Sequence, residues 1–199
     1  MGKIIGLTGG IASGKSTTSN YLKEKGYIVL DADQYAKKIL EPGQNAYHNI
    51  IDYFGKKILN SDKTINRKAL GHIVFNDSSE LQKLNQFTHP EVKRLMQEDQ
   101  DRYIKDNHVF LDIPLLFENK RDKACDLVIT VYVSYEAQIE RLMNRNGFTE
   151  DEAKSRINSQ MSLEEKKKMS DVVFDNNGTK EELFKQVDQF ISKLENNLI

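Results

Sequence analysis

Eight consecutive residues, Gly9-Gly-Ile-Ala-Ser-Gly14-Lys15-Ser16, have the spacing G-x-x-x-x-G-K-[ST]. Each fixed position has a task in holding polyphosphate. The glycines permit backbone torsions that aim successive N–H groups into one concavity. A helix starting near Lys15 adds the positive end of its dipole. Lys15 can reach β- and γ-phosphates, and the Ser16 hydroxyl can ligate Mg²⁺. Gly10, Ile11, Ala12, Ser13, Gly14, Lys15, Ser16 and Thr17 are therefore the expected shell of a nucleoside triphosphate. A plain flexible turn is the alternative, but a strand pattern before and a helix pattern after supply the context that the loop requires.

Other residues suggest what is done with that nucleotide. Asp31 and Asp33 fall at the C-terminal end of a strand, the edge that faces the ligand crevice in open α/β sheets. One of them could meet an acceptor hydroxyl; both could equally cap the next helix. Arg141 and Arg145 stand four apart on one helix face, and Arg156 follows on the next helix. Their planar forks suit phosphate oxygens, while a solvated charged face is the ordinary reading of such residues. Asp112 closes the apolar run Val109-Phe-Leu-Asp112. It could hold Mg²⁺ through water or bond to the loop or backbone.

Two further patterns belong to guanine-nucleotide switches. Asp52-Tyr-Phe-Gly55 fits D-x-x-G, and Asn119-Lys-Arg-Asp122 fits N-K-x-D. Both lack the preceding strand that those motifs need. Tyr47 to Ile51 does not alternate, and the strand before Asn119 ends ahead of Pro114. The context favours a small-molecule kinase over a switch.

The elements that must position these residues can be read from periodicity. Lys3 to Thr8 reads as a buried strand, Lys15 to Lys25 as a helix ended by Gly26, and Tyr27 to Leu30 as a second strand. Strand patterns return at His108 to Ile113, Leu127 to Val133 and Val172 to Phe174. Between them, from Gln34 to about Asp106, the patterns are helical, with breaks near Pro42-Gly43, Asn60-Ser61-Asp62 and Asn76-Asp77. The spacing of Val92, Leu95, Met96, Tyr103 and Ile104 predicts one helix over His89 to Lys105. Pro90 would then sit in its first turn and His89 at its cap. Thr149-Glu-Asp-Glu152, Ser162-Leu-Glu-Glu165 and Thr179-Lys-Glu-Glu182 match the capping box. Tyr53, Phe54 and Phe75 read first as the core of the helical stretch and second as lining of an acceptor site.

Composition sets the outer limits. Across 199 residues, 29 Lys+Arg oppose 30 Asp+Glu, a formal net charge of -1. That balance argues against a nucleic-acid surface. The apolar run Leu127 to Val133 is about a third of a bilayer span, so no membrane segment is expected. Ile4 to Leu7 is too short for a signal-peptide core. A single cysteine, Cys125, permits no intrachain disulfide and fits a cytoplasmic setting. No pattern assigns an oligomeric state.

Taken together the motifs resemble the dephospho-coenzyme A kinase family. The resemblance rests on Ile5 to Thr17, on Asp31-Ala-Asp33 with Ala36, and on Thr88-His-Pro-Glu-Val92. It rests also on Leu111-Asp-Ile-Pro-Leu-Leu-Phe-Glu118, on Arg141 and Arg145, and on Arg156-Ile-Asn-Ser-Gln160. It implies a three-layer α/β phosphate-loop fold with a mainly parallel sheet, a helical insertion and a helical lid. Residues 1–33 and 107–199 would form the nucleotide core, 34–106 the insertion that binds the acceptor, and 139–161 the lid. The implied reaction passes the γ-phosphate of ATP to the 3′-hydroxyl of dephospho-coenzyme A, with Mg²⁺ as cofactor. Asp33, Lys15 and Arg141 would be catalytic, and Arg145 would join the loop residues on ATP. Two positions depart from the family pattern: Lys37 stands where Arg is usual, and Ser170 to Asn176 varies from A-D-x-V-I-x-N. A nucleoside monophosphate kinase would need an early arginine for the acceptor phosphate, and none occurs between Asp33 and Asn66.

Overall fold

The computed structural model describes residues 2–199. Strand β1, Ile4–Gly9, shows why this sequence builds a sheet covered on both faces. Ile5 and Leu7 are fully buried on one face. Thr8 turns to the other, where its hydroxyl donates to Pro114 O at 3.0 Å. The strand is thus apolar on one side and small or hydrogen-bonded on the other.

Four more strands join it: β2 (Ile28–Asp31), β3 (Val109–Asp112), β4 (Leu127–Tyr132) and β5 (Val172–Asp175). The order is β2-β3-β1-β4-β5. The β1–β3, β1–β4 and β4–β5 pairs are parallel, so their C-terminal ends share one edge. Register sets Asp112 level with Leu7, and Val131 level with Gly9, where the glycine-rich loop begins.

Helices α1 (Lys15–Glu24) and α9 (Lys180–Glu195) cover the Ile5/Leu7 face. Leu22 of the first and Leu183, Val187, Phe190 and Leu194 of the second close over Phe110, Ile129, Val131 and Phe174. The opposite face meets Leu116 and Cys125 at Gly6, and helix α8 (Leu163–Met169) through Thr130 Oγ1, which lies 2.5 Å from Ser170 Oγ. Burial pushes the Cys125 thiol up to about 11, away from the thiolate form. Helices α6 (Tyr135–Asn146) and α7 (Glu150–Asn158) lie between β4 and α8 in sequence. All three capping boxes form, each with both reciprocal bonds.

The chain divides into two compact units. One runs to Leu30 and resumes at Tyr103–Ile199; the other is Asp31–Arg102. The second unit contains α2 (Ala32–Lys38), α3 (Asn45–Phe54), a 3-10 turn (Lys56–Ile58), α4 (Arg67–Phe75) and most of α5 (Ser78–Tyr103). It has its own core of Ile39, Ile50, Phe54, Ile58, Leu70 and Val74, with Leu84, Phe87, Val92 and Leu95 packed against it. Phe54 is therefore core, whereas Tyr53 is half-exposed and Phe75 is 83% exposed.

Helix α5 corrects the expectation of a start at His89. It begins eleven residues earlier at Ser78. Asp77 holds that start: its Oδ1 accepts from Ser79 N at 2.8 Å and Glu80 N at 3.3 Å. Pro90 lies inside the helix and His89 is exposed, not a cap. A proline there removes one backbone bond, yet the apolar stripe Leu84, Phe87, Val92, Leu95 continues across it. Tertiary packing outweighs the local break.

Phe110 tests the sheet core. It is fully buried and meets Tyr27 and Phe190 edge-on at 5.8 and 6.4 Å between ring centres. Phe110→Ala should cost about 3–5 kcal/mol in urea unfolding, a large share of a typical ~5–15 kcal/mol. Thr179→Ala, which removes one capping box, should cost only about 1 kcal/mol in the same assay.

Candidate active site

The loop after β1 is shaped by backbone torsion. Ser13 N–H donates to Gly10 O at 3.2 Å, closing a tight turn. Ala12 (φ 60°) and Gly14 (φ 95°) are both left-handed. Left-handed residues set into such a turn bring successive N–H groups to one side. Any side chain at Gly14 would be strained by its φ and would displace Asn176, whose Nδ2 lies 2.1 Å from an added Cβ. Helix α1 then starts with no side-chain cap and no acid in its first turn. By contrast α2, α4, α6, α7, α8 and α9 all begin with a side chain that accepts from the first turn. The N–H groups at the start of α1 are therefore open to an anion.

N–H groups on the inside place carbonyls on the outside, and buried carbonyls need donors. Three side chains supply them. Gln138 Nε2 of α6 donates to Ile11 O at 2.7 Å. Asn176, just past β5, donates Nδ2 to Ser13 O at 2.8 Å. Lys166 of α8 donates to Gly9 O at 3.3 Å. The side chains of Ile11 and Ala12 pack against the apolar cluster of α6 and α7, formed by Ile139, Leu142, Ala153 and Ile157.

Lys15 Nζ hydrogen-bonds Asp112 Oδ1 at the end of β3, and both side chains are nearly buried. An ammonium has three N–H donors, so this pair aims Lys15 without exhausting it. Lys166 is fully buried, with its Nζ on Pro114 O at 2.8 Å and Glu118 Oε1 at 3.0 Å. Burial pushes its pKa down, Glu118 pushes it back up, and nearby Lys15 adds to the lowering.

The arginines separate in role. Arg141 is half-buried, and its Nη2 donates to Asn176 O at 2.7 Å. Asn176 thus joins Arg141 to the loop. Arg145 is exposed on the last turn of α6, with Nε on Asn146 Oδ1 at 2.8 Å. Arg156 stacks over the Phe148 ring at 4.2 Å.

Asp31 has the capping role: its Oδ1 accepts from Asp33 N at 3.0 Å and Gln34 N at 3.4 Å. Asp33 belongs to the second unit, exposed in the first turn of α2 and two residues past β2. Asp52 sits inside α3, and Gly55 ends that helix. Asn119 to Asp122 is a turn leading into a 3-10 helix. Neither follows a strand end, so the switch-type patterns are not built.

Sequence reasoning assigned no role to Gln138, Lys166 or Asn176. Gln138 carried a signal, since it lies on the Leu142 face of an amphipathic helix. Lys166 carried none: Lys166-Lys-Lys168 reads as a solvated run, and only its first member is buried.

Comparisons with known proteins agree with this geometry. The family model described as dephospho-CoA kinase matches residues 3–182. The chain belongs to the dephospho-CoA kinase family. A Listeria innocua member is 46% identical over 199 residues, covering 99% of this chain and all of the relative. One from Carboxydothermus hydrogenoformans is 49% identical over 192 residues, covering 96% and 93%. A solved dephospho-CoA kinase from Campylobacter jejuni superposes with TM-score 0.78 at 30% identity, covering both chains completely.

The loop makes two predictions, both read by calorimetric titration with ATP. Asn176→Ala leaves Ser13 O without its donor and should weaken binding about tenfold, equivalent to ~1.4 kcal/mol. Gly14→Ala adds both strain and a clash, so binding should be lost in a chain that still folds.

Proposed function

We propose that this chain transfers the γ-phosphate of ATP to the 3′-hydroxyl of dephospho-coenzyme A. A Pγ–O bond to the ribose oxygen forms, the Pγ–O bond to the β-phosphate breaks, and the hydroxyl proton is lost. The products are coenzyme A and ADP. The reading is carried by the uncapped start of α1 beside the Lys15–Asp112 pair, in a family member matched over nearly its whole length.

The loop N–H groups, with Gly10 to Thr17, hold the polyphosphate. Lys15 offsets charge on the β- and γ-phosphate oxygens as the bond to the leaving group lengthens. Arg141 commits one donor to Asn176 O, and the rest of its five N–H groups would serve phosphate oxygens. Arg145 adds charge from the exposed last turn, and residues 139–161 act as the lid. The second unit holds the coenzyme A moiety.

The oxygen donors fit a hard divalent ion: the Ser16 hydroxyl in the first turn of α1 and the buried Asp112 carboxylate. Those two residues would hold Mg²⁺, Asp112 through water, and the ion would draw charge from the phosphate oxygens. Asp33 orients the acceptor hydroxyl and takes its proton. Because the transition state is loose, proton removal comes late and placement counts for more than basicity.

A panel of acceptors with ATP tests the reaction. Dephospho-coenzyme A should be phosphorylated at the 3′-oxygen; phosphorylation of another acceptor in its place would refute the assignment. Asp33→Asn should lower kcat by about 10²-fold or more, whereas near-normal turnover would leave Asp33 with only a helix-start role. Arg141→Ala should depress kcat more than it raises the ATP KM, and an unchanged kcat would remove it from the mechanism. Chelation with EDTA should stop ADP formation, and added Mg²⁺ should restore it.

A further inference from the structure

Lys166 is the one fully buried lysine among the described residues, and the mechanism above does not use it. Its three N–H donors meet three acceptors: Gly9 O, Pro114 O and Glu118 Oε1. That set is complete, so Lys166 has no donor left for a phosphate oxygen. It is not a second phosphate ligand.

The acceptors themselves are informative. Gly9 is the first residue of the nucleotide loop. Pro114 lies two residues past Asp112, on the exit of β3. The same exit receives Lys15 from the far end of the loop through Asp112. Two lysines therefore brace the loop, one at its start and one at its end, against a single strand exit. Glu118 adds a third attachment. Its Oε1 also accepts the Met161 N–H at 3.2 Å. Met161 follows α7 and precedes Ser162, the cap of α8, so it is the return of the segment that carries Arg141, Arg145 and Arg156.

We infer that Lys166 is a positioning residue for phosphoryl transfer. With Glu118 as counter-ion it fixes the start of the nucleotide loop and the return of residues 139–161 to one buried ammonium. A cation suits this place because no neutral side chain of that reach offers three donors in a tripod. Lys166 is fully buried with all three donors placed, and half-buried Glu118 takes both of its bonds on Oε1, so the loss of either member leaves the other without its partner. The consequence is kinetic. A loop displaced at Gly9 aims its N–H groups wrongly at the phosphates, and a slack return at Met161 misplaces the arginines.

The inference rests on the nucleotide-loop reading but not on the identity of the acceptor. The test therefore measures the ATP Kd without acceptor, together with kcat and the ATP KM, each well below the variant's melting temperature. Lys166→Met should raise the ATP Kd by at least about tenfold and lower kcat by at least about tenfold. Glu118→Ala should lower kcat about tenfold with the ATP Kd within about threefold. Glu118→Gln keeps an acceptor oxygen for both Lys166 and Met161, so its kcat should recover to within about threefold of wild type. A merely structural role would lower the melting temperature and leave these constants alone. Folded Lys166→Met with normal Kd and kcat would overturn the inference. So would a Glu118→Ala variant as active as Glu118→Gln, a comparison that decides the matter if Lys166→Met does not fold. Failure of the wild type on dephospho-coenzyme A would instead defeat the functional reading and leave the ATP Kd result standing.

Discussion

A loop that binds anions through its N–H groups must present its carbonyls to the protein. That constraint governs much of the first unit. Ile11, Ser13 and Gly9 each need a buried donor for the outward carbonyl, and each donor comes from the C-terminal third: Gln138, Asn176 and Lys166. Unpaired, such a carbonyl would cost about 1–3 kcal/mol, comparable to the margin on which a phosphate contact depends. The helices after β4 therefore do more than cover the sheet. They hold the loop in a shape that its own sequence only permits.

Charge is arranged on the same principle. The chain as a whole is nearly neutral, yet lysines and arginines converge near one sheet edge: Lys15 and Lys166 beside the β3 exit, and Arg141 at the end of β5. Two of these cations are paired with Asp112 and Glu118. The pairing keeps buried positive charge tolerable and aims it, so the geometry does not depend on flexible surface side chains. Arg145 and Arg156 are exposed, the first bonded to Asn146 Oδ1 and the second stacked on Phe148.

The second unit follows a different logic. Its helices close a core of their own around Ile50, Phe54 and Leu70, and Pro90 is absorbed within α5 because the apolar stripe runs through it. These helices keep their shape through contacts of their own. The exposed Phe75 and half-exposed Tyr53 show that aromatic content alone did not separate core from surface there.

The strands, the loop, α1 and the three capping boxes were legible in the sequence, and the Asp31 cap was one of two readings open there. All depend on neighbours within a few residues: alternation of apolar side chains, glycine at fixed spacing, a hydroxyl three residues before a glutamate. The family too was legible, since its motifs are local. The start of α5 was not, because packing across Pro90 outweighed the local signal. Of the loop's supports only Gln138 carried a sequence signal, and none could be matched to its carbonyl. Gln138, Lys166 and Asn176 lie 127, 157 and 163 residues from the carbonyls they satisfy. Nothing near Lys166 marks it apart from Lys167 and Lys168. The sequence alone determined that a phosphate-binding loop would form and which side chains it would offer. Only the tertiary structure decided what holds that loop open, because satisfying an outward carbonyl requires a donor that folding alone brings into reach.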